Sequence, residues 1–290
     1  MIRPAHETEP RHEEPRQQQQ KQQDSEQQEV EERSAPGGHI VYKAICKEGE
    51  DELERPSSAL AFSGLAAGLS MGFSLIAEGI LHANLPDKPW RILITKLGYS
   101  VGFLIVILGR QQLFTENTLT PILPLLQKRD GKTLLNVLRL WGVVFAANML
   151  GGLIIAWACA KTSAFEPHVR DAFSHIGHTA MHGSFGTILI KGIFAGWLIA
   201  LMVWLLPFAE TARVGVIIIV TYIVGIGQFS HIIAGSIETF VIGFLHEKPW
   251  TEIVGSYILP TLIGNIIGGV TLVAALNHAQ VVAGSDGTDV

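Results

Sequence analysis

Cysteine, net charge and the common hydrolase motifs are all scarce in this chain. Only two of the 290 residues are cysteine, Cys46 and Cys159, and they lie far apart in unlike surroundings, which argues against a disulfide framework or a CxxC metal site. The net charge is −5, so there is no basic patch for nucleic acid. No HExxH sequence occurs, and the one GxSxG match, residues 68–72, lies within a long apolar stretch. We therefore predict neither an enzyme nor a nucleic-acid-binding protein, and no cofactor or bound metal.

Apolar side chains are few in residues 1–56, although 48% of the whole chain is hydrophobic and its mean hydropathy is +0.33. Such a segment cannot bury enough surface to offset the entropy of ordering, so we predict a disordered, Gln-rich cytoplasmic tail. It contains no early apolar run typical of a signal peptide. The apolar part, residues 57–277, is predicted as the membrane domain, and residues 278–290 as a short cytoplasmic tail.

Six apolar stretches are long enough to cross a hydrocarbon core about 30 Å thick. Polar loops separate them, including "KTSAFEPHVRDAFSHIGH", whose histidines we expect to be solvated or to line an entrance. Six crossings put both termini on one side, and a mild excess of Lys and Arg predicts that this side is the cytoplasm. The stretches are 57–83, 92–127, 134–160, 184–207, 213–246 and 251–277.

The second and fifth stretches are too long for one ordinary helix. Each has about 35 residues, which would give about 50 Å at 1.5 Å per residue. Strong tilt could absorb part of that length. Polar or Gly-rich sequences interrupt both stretches, "GRQQLFTENT" in one and "YIVGIGQFSHIIAG" in the other, and these favour two broken helices. Backbone that is not helical is tolerated at membrane depth only where protein or a wet cavity satisfies it.

The two interruptions occupy corresponding places, one in the second of spans one to three and one in the second of spans four to six. Three spans that start from opposite sides give two halves of inverted topology. The predicted fold is therefore an all-α membrane protein with six transmembrane helices, arranged as two inverted three-helix repeats with broken helices two and five. Such a pattern is typical of transporters and channels whose site lies at the midplane.

Three sequences, "LFTEN", "FSHIIAG" and "IGNIIGG", resemble the formate/nitrite transporter family in order and spacing. The resemblance covers about residues 57–277. It implies an aquaporin-like outline, a homopentamer with one pore per protomer, and conduction of small monovalent anions or their acids. It is closest to a branch of the bacterial inner membrane whose substrate is uncertain.

The same resemblance implies which residues line the pore. Leu113 and Phe114 would form an apolar constriction, and Thr115 would offer a hydroxyl to the permeant or to a central histidine. His231 would be that histidine, and Asn265 a pore-facing amide. Imidazole has an unperturbed pKa of about 6.5, so His231 could couple transport to a proton. The alternative is a structural histidine, hydrogen-bonded inside the helix break.

Three charged residues, Arg110, Glu116 and Glu238, fall within or near the interruptions. A charge at membrane depth is costly unless it is paired or wet. We therefore expect Arg110 to pair with Glu116 or Glu238 and to brace the broken helices. Direct binding of substrate by Arg110 is the alternative. Lys96, near a span end, could extend its ammonium group to the interface.

The leading functional prediction is a channel or transporter for formate, nitrite, hydrosulfide, acetate or a similar small anion. One alternative is a membrane sensor or scaffold with lost or altered transport. The other is a facilitator for a neutral small solute, although the paired Asn-Pro-Ala sequences of that class are absent. The predicted partners are the lipid bilayer, other copies of the chain and a small anion.

Overall fold

The computed structural model describes residues 37–285, and this part of the chain is helical without any β-strand. Residues 1–36 and 286–290 lie outside the described residues, and so does most of the tail predicted to be disordered. Helix α1, Gly38–Glu54, corrects that prediction for its C-terminal part. It buries a stripe at helical spacing that includes Tyr42, Ile45 and Leu53, which the low overall hydropathy of the segment conceals.

Six membrane-crossing elements follow α1, together with one further amphipathic helix, α6. The first three are α2, Ser57–Asn84; α3, Arg91–Leu108, with α4, Ile122–Lys128; and α5, Gly131–Lys161. After α6, Pro167–Ala180, come α7, Phe185–Leu205, and α8, Arg213–Ile226, with α9, Ile232–Phe244. A C-terminal helix with α-helical parts Trp250–Glu252, Leu259–Ile267 and Leu276–Ser285 completes the set; its π-helical parts are Ile253–Ile258 and Gly268–Ala275.

The predicted breaks in the second and fifth stretches are confirmed. Within the described residues, five helices are long and apolar enough to cross a membrane alone, and α9 is a shorter apolar helix. The second stretch stops being α-helical after Leu108 and resumes at Ile122. The fifth stops after Ile226 and resumes at Ile232. Each broken element therefore consists of two half-helices that meet inside the protein.

The two halves repeat the same packing. Helix α2 packs against α3 and α5, and α7 packs in the same way against α8 and the C-terminal helix. Glycines permit these close approaches: a Cβ on Gly68 would lie 2.2 Å from the carbonyl oxygen of Asn148, and one on Gly196 would lie 2.3 Å from that of Asn265. Such contacts bring helix backbones together without any need for water.

The segment before the fourth span, predicted as a polar loop, forms helix α6 instead. Its apolar residues recur at helical spacing and are buried, among them Val169, Phe173 and Ile176. Pro167 opens the helix at a position where its missing N–H is not needed. Helix α6 packs on α9 and α2. Short amphipathic helices look polar on average, which is why the sequence indicated a loop.

The outer surface of the described bundle is strongly apolar. Large side chains such as Phe62, Leu135 and Ile219 are more than 60% exposed. A water-soluble protein rarely presents so many large apolar side chains at its surface, whereas lipid tails or neighbouring subunits can cover them. Buried polar side chains such as Thr115, Asn148 and His231 lie inside the bundle, around the two breaks.

Candidate functional site

The first break runs from Gly109 to Pro121 and is held by one asparagine of α5. Arg110 adopts a left-handed backbone conformation, with φ of 49°, which turns the chain at the end of α3. The side chain of Asn148 is fully buried and accepts a hydrogen bond from the N–H of Phe114 at 2.9 Å. Its amide nitrogen donates to the carbonyl oxygens of Gln112 at 2.8 Å and Gly64 at 2.7 Å. One side chain thereby satisfies the loop backbone and ties it to α2.

The second break is held in the same way by Asn265 of the C-terminal helix. Gln228 turns the chain with φ of 50°. Asn265 accepts from the N–H of Ile232 at 2.9 Å and donates to the carbonyl oxygens of Ser230 at 2.8 Å and Gly192 at 2.9 Å. Since the bonds of Asn148 and Asn265 correspond one to one, we call the two residues the asparagine clamps.

The clamps change the interpretation of Asn265. The family resemblance implied a pore-facing amide. This side chain is fully buried, and its amide oxygen and nitrogen are hydrogen-bonded to backbone groups. Asn148 was missed, although the sequence carries a signal for it. "NMLGG" at residues 148–152 and "NIIGG" at residues 265–269 share the pattern Asn-x-x-Gly-Gly at matching points of the two halves.

His231 lies at the meeting point of the breaks and is completely buried. Its Nδ1 accepts a hydrogen bond from the N–H of Ala234 at 3.2 Å, so the imidazole caps the N-terminus of α9. Its Nε2 lies 2.8 Å from Oγ1 of Thr115 in the first break. The ring of Phe103, from α3, meets the imidazole edge to face at 4.9 Å between centroids. The structure therefore brings Thr115 and His231 together, and Phe103 is a contact that the sequence did not reveal.

The cap fixes the tautomer of His231. Because Nδ1 accepts a hydrogen from a backbone N–H, it carries none itself, and the hydrogen of a neutral imidazole must be on Nε2. Nε2–H then donates to Thr115, whose own hydroxyl hydrogen can point to a permeant. Adding a proton at Nδ1 would break the cap of α9. The site is thus built around a neutral histidine that acts as a hydrogen-bond donor.

Leu113 and Phe114 precede Thr115 and are buried, at 0% and 2% exposure. Phe114 packs edge to face with two aromatic rings of α5, Trp141 at 5.8 Å and Phe145 at 5.1 Å between centroids. The ring is therefore anchored against α5. Leu113 holds the position in the first break that His231 holds in the second, since each directly precedes the residue whose N–H the clamp binds.

The predicted ion pair of Arg110 with Glu116 or Glu238 is not formed. The side chain of Arg110 is exposed, and neither carboxylate lies within 4 Å of it. Distance explains the error for Glu238. Glu238 shares a cavity with Lys96, and Lys96 lies fourteen residues before Arg110, which corresponds to about 21 Å along a helix. Glu116 instead lies near two acids of α1, Glu48 and Glu52.

Glu78 and Lys96 form a buried ion pair between α2 and α3 that was not predicted. The ammonium group of Lys96 contacts Oε1 of Glu78, and their side chains are only 11% and 3% exposed. Lys96 therefore does not extend to the interface. It lines two cavities: one of about 210 Å³ with Glu78, His82 and Arg91, and one of about 30 Å³ with Glu238 and others. The smaller cavity also reaches Tyr99, Gln228, Ser230 and Tyr257.

Helix α1 is fixed against α4 on the opposite side of the breaks. Lys128 pairs with Glu50 at 2.6 Å. Cys46 donates to Oε1 of Gln127 at 3.3 Å, and burial raises the pKa of its thiol. A Cβ on Gly49 would lie 2.1 Å from the carbonyl oxygen of Thr120, so α1 touches the backbone of the first break.

The histidines of α6 do not gather into a metal site. Within residues 37–285 no group of three or more His, Cys, Asp or Glu side chains could hold a metal ion. His178 bonds instead to Glu247 at 2.8 Å. His175 stacks on His82 at 4.9 Å and lines the 210 Å³ cavity, in keeping with the expected entrance.

Comparison with known proteins agrees with this geometry. The family model "Formate/nitrite transporter" matches residues 39–279. The inner membrane protein YfdC of Escherichia coli (strain K12) is 44% identical over 241 residues, which cover 83% of this chain and 78% of that protein. The formate channel BtFdhC of Bacillus thuringiensis is 27% identical over 79% of this chain and 89% of its own length.

The fold is also similar to that of solved structures. A pentameric formate channel with formate bound superimposes with a TM-score of 0.67 and 21% identity, over 78% of this chain and 98% of the channel. An FNT family ion channel gives a TM-score of 0.72 with 17% identity, over 83% and 98%. At these identities the likeness concerns the fold alone.

Proposed function

Because the chain belongs to the formate/nitrite transporter family, we propose that it is a channel or transporter for a small monovalent anion or its acid. The observation that carries this proposal is the junction of the two half-helix pairs. There Thr115 and His231 offer hydrogen bonds at membrane depth, beside the apolar side chains of Leu113 and Phe103. Formate, nitrite, hydrosulfide and acetate are the candidate substrates.

The junction suits a solute that sheds most of its water. A bare anion pays a large desolvation penalty in apolar surroundings, which hydrogen-bond donors and a transferable proton both reduce. The hydroxyl of Thr115 offers such a donor, oriented by the neutral His231. The names of the relatives, a formate channel and an inner membrane protein, support the substrate class and a bacterial inner membrane.

We further propose a homopentamer with one pore in each protomer. A structural neighbour is a pentameric formate channel, and large apolar side chains on the outside of the bundle can meet neighbouring subunits as well as lipid. Native mass spectrometry of the detergent-solubilised protein tests this stoichiometry. A monomer at concentrations where transport is measured would count against it.

Both termini are proposed to lie in the cytoplasm. Lys128 ends α4, Arg129 follows it and Lys132 lies in the first turn of α5, on the side of the bundle that α1 occupies. Cytoplasmic loops carry more Lys and Arg than periplasmic ones. An Asp87→Cys variant should react with a membrane-impermeant maleimide added to intact cells, and a Lys132→Cys variant should not. The reverse labelling would invert the orientation.

The transport proposal is tested by a flux panel in proteoliposomes. Radiolabelled formate, nitrite, hydrosulfide and acetate are offered over a range of pH to the wild type and to His231→Ala. We expect at least one substrate to enter faster than into protein-free vesicles, and the variant to lower that rate because Thr115 loses its hydrogen-bond partner. No flux of any substrate would favour a sensor or scaffold, and glycerol uptake alone would favour a neutral-solute facilitator.

A further inference from the structure

The buried ion pair of α2 and α3 has a second carboxylate beside it. Glu238 of α9 is 7% exposed and lines the 30 Å³ cavity together with Lys96. It is more than 4 Å from the ammonium group, since that group makes its only carboxylate contact among the described residues with Glu78. Two carboxylates therefore share one lysine, and all three side chains are largely buried.

The polar atoms of this cluster are incompletely satisfied. Oε2 of Glu78 is buried and lacks a hydrogen-bond partner among residues 37–285. The Lys96 ammonium lies 5.8 Å from the centroid of the Tyr99 ring, which adds attraction for the cation but no donor for the carboxylates. A buried carboxyl oxygen without a protein partner needs a hydrogen from water, from a ligand or from the carboxyl group itself.

Charge counting favours a proton. With all three groups ionised, the cluster carries a net charge of −1 and holds one carboxylate without a counter-ion. An uncompensated buried charge is strongly destabilising, whereas a protonated carboxyl is neutral and becomes a donor. The lining of the small cavity holds no second cation. Tyr99 from α3 and Tyr257 from the C-terminal helix are phenols. The residues that α6, α8 and the second break contribute are uncharged and include Ile176, Thr179, Ala180, Val224, Gln228 and Ser230.

The cluster of Glu78, Lys96 and Glu238 lies between the surface and the central histidine. The 210 Å³ cavity is lined by Asp87, Lys88 and Arg91 near the surface and by Glu78 and Lys96 inside. Lys96 also lines the smaller cavity, whose lining includes Ser230, the residue before His231. A solute entering from this side meets the cluster before it meets the imidazole.

We propose that Glu78, Lys96 and Glu238 form a proton-loading site, at which a weak-acid anion is protonated before it crosses the junction. The inference rests on the transport function proposed above. Lys96 attracts the anion, and a protonated carboxyl of Glu238 or Glu78 donates to it: the carboxyl O–H bond breaks, an O–H bond forms on the anion, and a carboxylate remains. That carboxylate regains a proton from water in the larger cavity. One proton thus crosses with each anion.

With this assignment His231 does not have to be protonated, and its surroundings do not suit a protonated imidazole. Its Nδ1 already accepts from the N–H of Ala234, so an imidazolium would lose the cap of α9. In the proposed sequence the histidine stays neutral and its Nε2–H orients Thr115. The proton is supplied instead by a protonated carboxyl group of the cluster, which lies closer to the surface.

The test uses the full-length protein in proteoliposomes with formate as the probe. Uptake of radiolabelled formate and internal pH are followed together for the wild type, Glu238→Gln, Glu78→Gln and Glu238→Asp. We expect one proton to enter per formate in the wild type, and uptake by Glu238→Gln to fall by about tenfold or more, as for loss of a general acid, with a flattened pH profile. Glu238→Asp should recover part of both. Glu247→Gln, an exposed carboxyl bonded to His178, is the matched control and should behave as wild type.

Infrared spectroscopy supplies a readout that does not depend on transport. A protonated carboxyl has a C=O stretching band that shifts in D₂O, and we expect this band to weaken in Glu238→Gln and Glu78→Gln but not in Glu247→Gln. Wild-type pH dependence in a correctly assembled Glu238→Gln, or an unchanged infrared band in both cluster variants, would overturn the proposal. If the wild type transports no anion, the transport function fails, and the infrared band alone decides whether the cluster holds a proton.

Discussion

The first and second broken helices have equivalent asparagine clamps, yet they differ in length and in chemistry. The first break spans thirteen residues from Gly109 to Pro121 and is followed by the seven-residue α4. The second spans five residues and is followed by the thirteen-residue α9. The clamp binds the residue after Leu113 in one and the residue after His231 in the other. Corresponding backbones thus present an apolar side chain from one half and a hydrogen-bonding one from the other.

The amphipathic helices α1 and α6 extend this correspondence. Each precedes the first span of its half and packs on the second part of the broken helix, α1 on α4 and α6 on α9. A Cβ on Gly49 would meet the carbonyl oxygen of Thr120 at 2.1 Å, and one on Gly177 would meet that of Glu238 at 2.5 Å. Each repeat therefore has four elements. Glu238 corresponds to Thr120, so the carboxylate of the proton-loading site belongs to one half only.

Removing the clamps should have the largest effect. Asn148→Ala and Asn265→Ala each leave one backbone N–H and two carbonyl groups without their bonds, and each buried unsatisfied group costs about 1–3 kcal/mol. We expect both variants to lose most of the assembled protein in size-exclusion chromatography and to lower the midpoint of thermal unfolding strongly. Asn136→Ala is the control, since Asn136 lies on the same helix as Asn148 but its side chain makes no hydrogen bond within residues 37–285.

A large loss for one clamp and a small loss for the other would break the comparison. It would mean that the longer first break is supported by other contacts, such as the bond from Trp141 Nε1 to the carbonyl oxygen of Asn117 at 2.7 Å. Equal losses would support the view that the two clamps are equivalent in energy as well as in geometry.

The glycines under the clamps should come next. Gly68→Ala and Gly196→Ala would push a methyl group within 2.2–2.3 Å of the clamp backbone, so α2 and α7 must move away from α5 and the C-terminal helix. Overpacking of this kind costs about 1–3 kcal/mol or more. Gly142→Ala and Gly215→Ala have open space at the same atom and should be neutral or stabilising by up to about 1 kcal/mol. Thermal unfolding of all four variants measures the difference, and equal stability would contradict the close packing.

The junction between the halves should respond in transport more than in stability. Thr115→Val keeps the size of the side chain but removes the hydroxyl that bonds His231, so it should cost about 1 kcal/mol in stability while anion uptake falls clearly. Thr251→Val, at an exposed site near the start of the C-terminal helix, should change neither quantity. Wild-type uptake by Thr115→Val would show that the hydroxyl makes no contact with the permeant.

The sequence predicted the spans and the breaks because both follow from local composition. Long apolar runs show where the chain crosses the membrane, and polar residues such as those of "RQQLFTENT" show where a continuous helix fails. Helices α1 and α6 were missed since their burial depends on partners distant in the chain. Tyr42, for example, bonds to His278, and neither residue indicates the other.

The charged residues were the hardest to interpret from sequence. Arg110 attracted a predicted partner because it stood in an apolar run, but its side chain is exposed and the buried cation is Lys96. Which carboxylate meets which cation depends on helix rotation and on depth along the helix axis. An error of one turn in either quantity exchanges the partners, and no local pattern fixes them.

The smallest expected effect separates two helix caps. Asp130 begins α5 and accepts from the N–H of Thr133 at 2.9 Å, and Ser184 begins α7 and accepts from that of Thr187 at 3.2 Å. Hydrogen bonds from the side chain and backbone of Thr133 lower the pKa of Asp130 below 3.8. The stability that its carboxylate adds is therefore complete above pH 3.8 and is lost as the pH falls through the lowered value.

The midpoint of thermal unfolding of Asp130→Ala should lie slightly below that of the wild type at neutral pH and converge with it in acid. Ser184→Ala should show the same small deficit at every pH, because its hydroxyl does not titrate. Parallel curves for both variants would mean that the charge of Asp130 contributes nothing to the cap and that the two halves begin their helices by the same neutral hydrogen bond.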